Sequence, residues 1–166
     1  MAGATYTVER STTVVAPPEA LFREVEDFHR WPGWSPWEDL DPALTRRYSG
    51  AEHGVGAVYA WSGNRKAGQG RMECTGAEAP SRVTVDLHFL KPFRASSTST
   101  FSFVPDGDGT RATWTLTGPV TAALRVMGLF TSMDKLLGGD FEKGLARLKA
   151  VAEAGATDGG QDGIAP

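Results

Sequence analysis

The sequence predicts an α+β fold in which a curved antiparallel sheet of about six or seven strands wraps around a long C-terminal helix. Three observations carry that reading. Between Ala43 and Gly118 the chain reads as a run of strands divided by turn signals. Beyond Pro119 the apolar residues change from alternation to steps of mostly three or four. No other long amphipathic element is present, so the apolar face of the sheet has to be covered by the last helix.

The first strand is "TYTVERSTTVVA", Thr5 to Ala16, rich in threonine and valine, with Val8, Arg10, Thr12 and Val14 in one phase. "PPEALFREVEDF" opens with Pro17 and Pro18, which suit a helix start, and carries Leu21, Phe22, Val25 and Phe28 at helical spacing. A short amphipathic helix follows. "HRWPGWSPW" then sets Trp31, Trp34 and Trp37 among Pro32 and Pro36, and prolines at that density exclude a regular ladder or helix. The three indoles are expected on a loop or on short helical turns, packing apolar surface while their N–H groups find acceptors. At least one is expected to touch a ligand, and the others to lock the short helices to the sheet.

"LTRRYSG", "GAVYAWSGN" and "GQGRMECTG" come next, with Gly63, Asn64 and Gly68 marking a tight reversal. In "SRVTVDLHFL", Val83, Val85, Leu87 and Phe89 alternate strictly against Arg82, Thr84, Asp86 and His88, the clearest half-buried strand in the chain. "KPFRASSTSTFSFV" places Phe101 and Phe103 in phase, and "PDGDG" is a hairpin turn into "TRATWTLTG". There Ala112, Trp114 and Leu116 share one face, and Thr113, Thr115 and Thr117 the other.

Leu129, Met133, Leu136, Leu137, Phe141, Leu145, Leu148 and Val151 mark the terminal helix, with its core near Ser132 to Glu153. Gly138 and Gly139 stand in its middle, where each costs about 1 kcal/mol against alanine. Close approach to another element or to a ligand is the expected compensation. No internal repeat or second domain is visible: residues 1–154 are expected to form one domain, and "GATDGGQDGIAP", residues 155–166, a disordered tail.

With 166 residues, 40% hydrophobic and 22% charged, the composition is that of an ordinary globular domain. A net charge of -3 and the lack of a basic stripe argue against nucleic acid as partner. Cys74 is the single cysteine, so no intrachain disulfide can form and a thiolate metal site is disfavoured. The start "MAGATYTVERS" lacks the charged and apolar regions of a leader, and no apolar run is long enough to span a bilayer. A cytoplasmic protein without integral membrane association is expected.

Catalytic motifs are scarce. His29, His53 and His88 are far apart and show no metal-ligand spacing, so each reads as solvated surface. No GxSxG occurs, and the glycines of "GVGAVY" and "GQG" precede no helix, so they read as turns. Cys74, in the phase of Met72, reads as a small buried hydrophobe. The aromatic and methionine set is richer. Tyr59, Trp61, Met72, Phe89, Phe101, Phe103 and Trp114 fall on faces assigned inward, and Phe130 and Met133 should meet them from the helix region. For each, core packing and ligand lining stay equally open. Arg10 intrudes in the apolar phase of the first strand, either anchoring a ligand oxygen or closing a strand-edge salt bridge. Tyr59 would add a phenol, and Glu73 or Asp86 are rival acids should their strands twist.

The ordered set "VAPPEALFREVEDFHRWPGWSPW", "GAVYAWSGNRKAGQGRMECTG", "LHFLKPFRASSTSTFSF", "GTRATWTLTGP" and "MDKLLGGDFEKGLARLK" resembles the START-related helix-grip (SRPBCC) superfamily, in its polyketide cyclase/dehydrase and lipid-transport branch. The resemblance implies two short helices after the first strand and a deep apolar cavity between sheet and terminal helix. Trp34 joins the inward aromatics and Arg10 as a ligand-binding candidate there. It implies a binder of a small hydrophobic molecule, lipid-like or polyketide-like, with no cofactor, as monomer or homodimer. Two alternatives stay open: a cofactor-independent cyclase, aromatase or dehydratase, and a protein-interaction module with a vestigial pocket. In cyclase-like relatives an arginine, a tyrosine and serines polarise a carbonyl without a metal. Arg10 and Tyr59 are candidates for such a part, and no catalytic residue is assigned.

Overall fold

Pro18 occupies the first turn of a helix, where its missing N–H costs nothing, and the elements on either side of that start set the frame. The structure is a computed structural model and describes residues 4–37, 41–65, 67–91, 94–127 and 133–162. Strand β1 (Thr5–Val14) leads into helix α1 (Pro18–Glu26) and a 3₁₀ segment (Phe28–Gly33). Then come β2 (Thr45–Gly50), β3 (Ala57–Ser62), β4 (Gln69–Glu78), β5 (Arg82–Lys91), β6 (Ala95–Asp106) and β7 (Gly109–Pro119). Helix α2 (Ala122–Met127), which the sequence pattern did not announce, precedes the long α3 (Met133–Asp162).

The sheet has seven strands in the order β1-β7-β6-β5-β4-β3-β2, antiparallel throughout. It is a helix-grip fold: β1 closes back onto β7, and the curved sheet wraps α3. Register shifts between Gln69 and Gly70 and between Cys74 and Gly76 interrupt the β4–β5 ladder, the kind of irregularity that bends a strand and raises its twist. The β6–β7 hairpin turns on Gly107 and Asp108, with positive φ (58°) at Gly107 alone, as a type II′ turn requires of its first central residue.

The tryptophan segment is explained by the end of α1. Its last carbonyls have no intrahelical partner, and here they are buried. The Trp34 indole N–H donates to the Glu24 carbonyl (3.1 Å), the Trp31 indole N–H to Val25 (2.8 Å), and the Gly54 amide to Glu26 (3.0 Å). The same two indoles are fully buried among Phe28, Phe101 and Trp114. They cap a helix and fill the core at once.

Helix α3 runs beside β1. Lys149 Nζ donates to the Thr13 carbonyl (2.9 Å), and Glu153 accepts from the Val15 amide (2.7 Å). Phe141, Leu145 and Leu148 are its buried stripe, with Phe141 stacked on Trp114 at 4.0 Å between ring centroids. Of the two mid-helix glycines, Gly138 makes the expected close approach, to the guanidinium of Arg10, whereas a Cβ at Gly139 would meet nothing within 4 Å. Gly144, not singled out by the sequence, admits Pro36 and Trp114, each of which would lie 3.0 Å from a Cβ. The helix continues to Asp162, past the Glu153 where apolar spacing ends. Leu129 and Phe130 lie outside the described residues.

Replacing Trp34 by Phe should lower stability by about 1–3 kcal/mol, because the buried Glu24 carbonyl loses its donor. Trp37→Phe should cost less than about 1 kcal/mol, since its N–H meets Asp140 at 3.3 Å in a half-buried setting. Urea midpoints at unchanged m-value measure both.

Candidate functional site

Cross-strand pairs divide the concave face into two ends. At one, Val83 pairs with Phe101, Phe101 with Trp114 and Trp114 with Arg10. Trp31, Trp34, Phe28 and Phe141 close over these residues, and the ring edges and faces interlock. The Trp114 indole donates to the Ser99 hydroxyl (3.3 Å). This end is solid core.

The other end is half open. Tyr48 pairs with Tyr59, Tyr59 with Met72, Met72 with Leu87 and Leu87 with Ser97. Beside Ser97 lies Gly118, one residue beyond the Thr98–Thr117 pair, and Gly118 pairs with Tyr6. One step further out, Trp61 pairs with Gly70 and Gly70 with Phe89. The Trp61 ring lies close against Gly70, where a Cβ would stand 2.7 Å from its Cη2, and meets Phe89 edge to face at 5.5 Å. Its N–H is held by the Ala67 carbonyl (2.9 Å). Trp61, Met72, Leu87, Phe89 and Tyr6 keep part of their surface uncovered, although large apolar side chains favour full burial. The described part of α3 begins opposite Arg10, with Asp134 on its guanidinium, and its Met133 and Leu137 pack, partly buried, against the core.

Residues 5–153 match the model of a family described as polyketide cyclase/dehydrase and lipid transport. The chain belongs to that family. No curated protein matches it. Among solved structures, the Thermus thermophilus protein TTHA0849 superposes with TM-score 0.63 at 23% identity, over 90% of this chain and 99% of that one. The Staphylococcus aureus protein SA2116, of unknown function, gives 0.66 at 11% identity over 93% and 97% of the two chains. The Chromobacterium violaceum protein CV1439 gives 0.63 at 14% identity over 89% and 98%. At such identities the likeness concerns the fold. Fold and family together point to a cavity for a small hydrophobic ligand on the concave side.

Within this family member, the residues singled out in the sequence separate by end. Trp34, Phe101 and Trp114 belong to the solid end; Trp61, Met72 and Phe89 belong to the half-open end, with Tyr59 in the same row but buried; Met133 packs, partly buried, against the core; Phe130 lies outside the described residues. Arg10 makes a salt bridge. Its guanidinium donates twice to Asp134 (2.8 and 2.9 Å), with Glu142 3.6 Å away, and it rests on Gly138. Glu73 and Asp86 sit in the phase opposite Met72 and Leu87, on the convex side, paired with Arg71 (2.9 Å) and Thr98 (3.4 Å). Tyr6 was missed, although it stands two residues before Val8 in the same phase as Arg10.

The histidines take local partners: His29 with Asp27 (2.8 Å), His53 with Glu26 (3.4 Å) and His88 with Ser96 (3.0 Å). His29 stacks on Tyr48 and borders a cleft of about 160 Å³ with Ser49 and Glu52, below the roughly 300 Å³ where small-molecule pockets begin. Cys74 is buried, and burial pushes its thiol pKa up. Among the described residues no group of His, Cys, Asp and Glu could hold a metal, and no helix is long and apolar enough to cross a membrane.

The Arg10 hydrogen bonds hold the Asp134 carboxyl below its ordinary pKa. A depressed folded-state pKa adds stability above the unfolded-state value and loses it as pH falls through the folded one. Asp134→Asn should therefore flatten the acid limb of a stability–pH profile, measured as urea midpoints below neutral pH, and leave its slope above pH 6 unchanged.

Proposed function

We propose that this chain binds a small hydrophobic molecule, lipid-like or polyketide-like, against the half-open end of the concave face. The supporting observation is the contrast between the two ends. One is filled by interlocked rings, while Trp61, Met72, Leu87 and Phe89 line the other and stay partly uncovered. An apolar ligand lying there would remove ring, thioether and aliphatic surface from water, worth about 25 cal/mol per Å². The wall has built-in stiffness, because Trp61 is fixed by Gly70 beneath it and by the Ala67 carbonyl at its edge.

The same floor favours holding a ligand over transforming it. Among the described residues its polar side chains carry hydroxyls, and the acids Glu73 and Asp86 point to the opposite side of the sheet. A cyclase or dehydratase needs an acid and a base within reach of the reacting carbon.

Native mass spectrometry of protein purified from its own host, followed by organic extraction, should release an apolar molecule at one per chain. In a separate titration, 2-ethylnaphthalene should quench tryptophan fluorescence saturably, and Leu87→Trp, which adds bulk to the floor, should weaken that binding about tenfold or more at an unchanged urea midpoint. Equal affinity in the two proteins would remove this end of the sheet as the site.

A further inference from the structure

Tyr6 is a half-buried phenol on the concave side of β1, at the edge of the half-open end. It projects from β1 in phase with Val8, packs against the buried core, and reaches sideways over β7. That path exists because its partner in the ladder is Gly118. A Cβ at position 118 would stand 2.6 Å from the Tyr6 hydroxyl oxygen and 2.7 Å from Cζ. A glycine in a strand interior weakens the strand, and one marked use is to let something else come close to the backbone. Here it brings the phenol end to rest over β7, beside Ser97 on β6, whose own ladder partner is Leu87. The phenol and the Ser97 hydroxyl are thus neighbours at one end of the row that runs on through Leu87, Met72 and Tyr59 to Tyr48.

Resting on the ligand reading above, we infer that the Tyr6–Ser97 hydroxyl pair is the polar anchor of the site, donating a hydrogen bond to a neutral carbonyl oxygen at the inserted end of an apolar ligand. The two neighbouring hydroxyls carry two O–H hydrogens, and a bond between them uses only one. The other is left for an acceptor that a ligand would supply. Burial raises the phenol pKa, with Ser97 partly opposing the shift, so the group is a protonated donor at neutral pH. The acceptor is neutral because Arg10, the cation of this strand, is already engaged by Asp134 and Glu142, and a carboxylate placed here would lack a partner. The body of such a ligand would lie along Met72 and Leu87 toward Trp61 and Phe89, with its oxygen at the β6–β7 side.

Three probes of matched shape test this: 2-acetylnaphthalene, 2-ethylnaphthalene and 2-naphthoate. The wild-type protein should bind the ketone about three- to tenfold more tightly than the hydrocarbon, the span of one neutral hydrogen bond, and should bind the naphthoate more weakly than the ketone. Tyr6→Phe should erase the preference for ketone over hydrocarbon, and Ser97→Ala should reduce it. Isotope-edited infrared spectra should show the carbonyl stretch of bound ketone at lower frequency in the wild type than in Tyr6→Phe, a shift that loss of packing alone does not produce. If both neutral probes bind and Tyr6→Phe changes them equally or not at all, the anchor is overturned while the binding reading stands. Tighter binding of the naphthoate overturns it as well. If neither neutral probe binds and no apolar molecule is released from the native protein, the ligand reading itself falls and the anchor with it.

Discussion

The architecture depends on burying the end of α1. A helix C-terminus in a core leaves carbonyl oxygens without donors, and each unpaired oxygen there costs about 1–3 kcal/mol. The chain meets that constraint with indoles. Trp31 and Trp34 donate to Val25 and Glu24 from a 3₁₀ turn that folds back under the helix, and the backbone of Gly54 reaches Glu26. Because an indole has one N–H on a large apolar body, the residues that satisfy the helix also fill the space between α1, the sheet and α3. That requirement accounts for a tryptophan-rich segment broken by prolines: the turn must be tight enough to bring both N–H groups onto one helix end.

Once those rings are in place, the concave face cannot be uniform. Phe101, Trp114 and Phe141 stack onto the indoles and make one end solid, and α3 is held along that end by its contacts with Thr13, Val15 and Arg10. The far rows, with Tyr6, Leu87, Met72, Trp61 and Phe89, receive less cover. Glycine gives this surface its relief. Gly70 admits the Trp61 ring, Gly118 the Tyr6 phenol, Gly138 the Arg10 guanidinium, and Gly144 Trp114 and Pro36. In each case a missing Cβ on one element sets the position of a large side chain from another.

The clearest readings from the sequence came where local rules act alone. Strict alternation in Arg82–Lys91, the turn at Gly107 and the proline start of α1 each follow from backbone sterics or the pleat, and each appears where expected. Function was harder to read for the same reason. Period-two alternation says that Trp34 aside, Tyr59, Trp61, Phe101 and Trp114 all face inward, but it does not say which end of the sheet each one covers. Gly70 and Gly118 read as turn or strand-end residues in the sequence, because nothing local reveals that an aromatic ring from the adjacent strand will cross them.

Composition, period and turn chemistry by themselves determined an antiparallel sheet closed on a terminal helix, a buried Cys74, and an arginine in the inward phase of the first strand. They are properties of neighbours in the chain, and a single sequence records them. Only the tertiary structure decided that the indoles of Trp31 and Trp34 cap α1, that Arg10 is matched by Asp134, and that Tyr6 comes to rest over Gly118. Those pairings join residues up to 124 positions apart. They depend on register, sheet curvature and the placement of α3, which are set when the elements pack against one another.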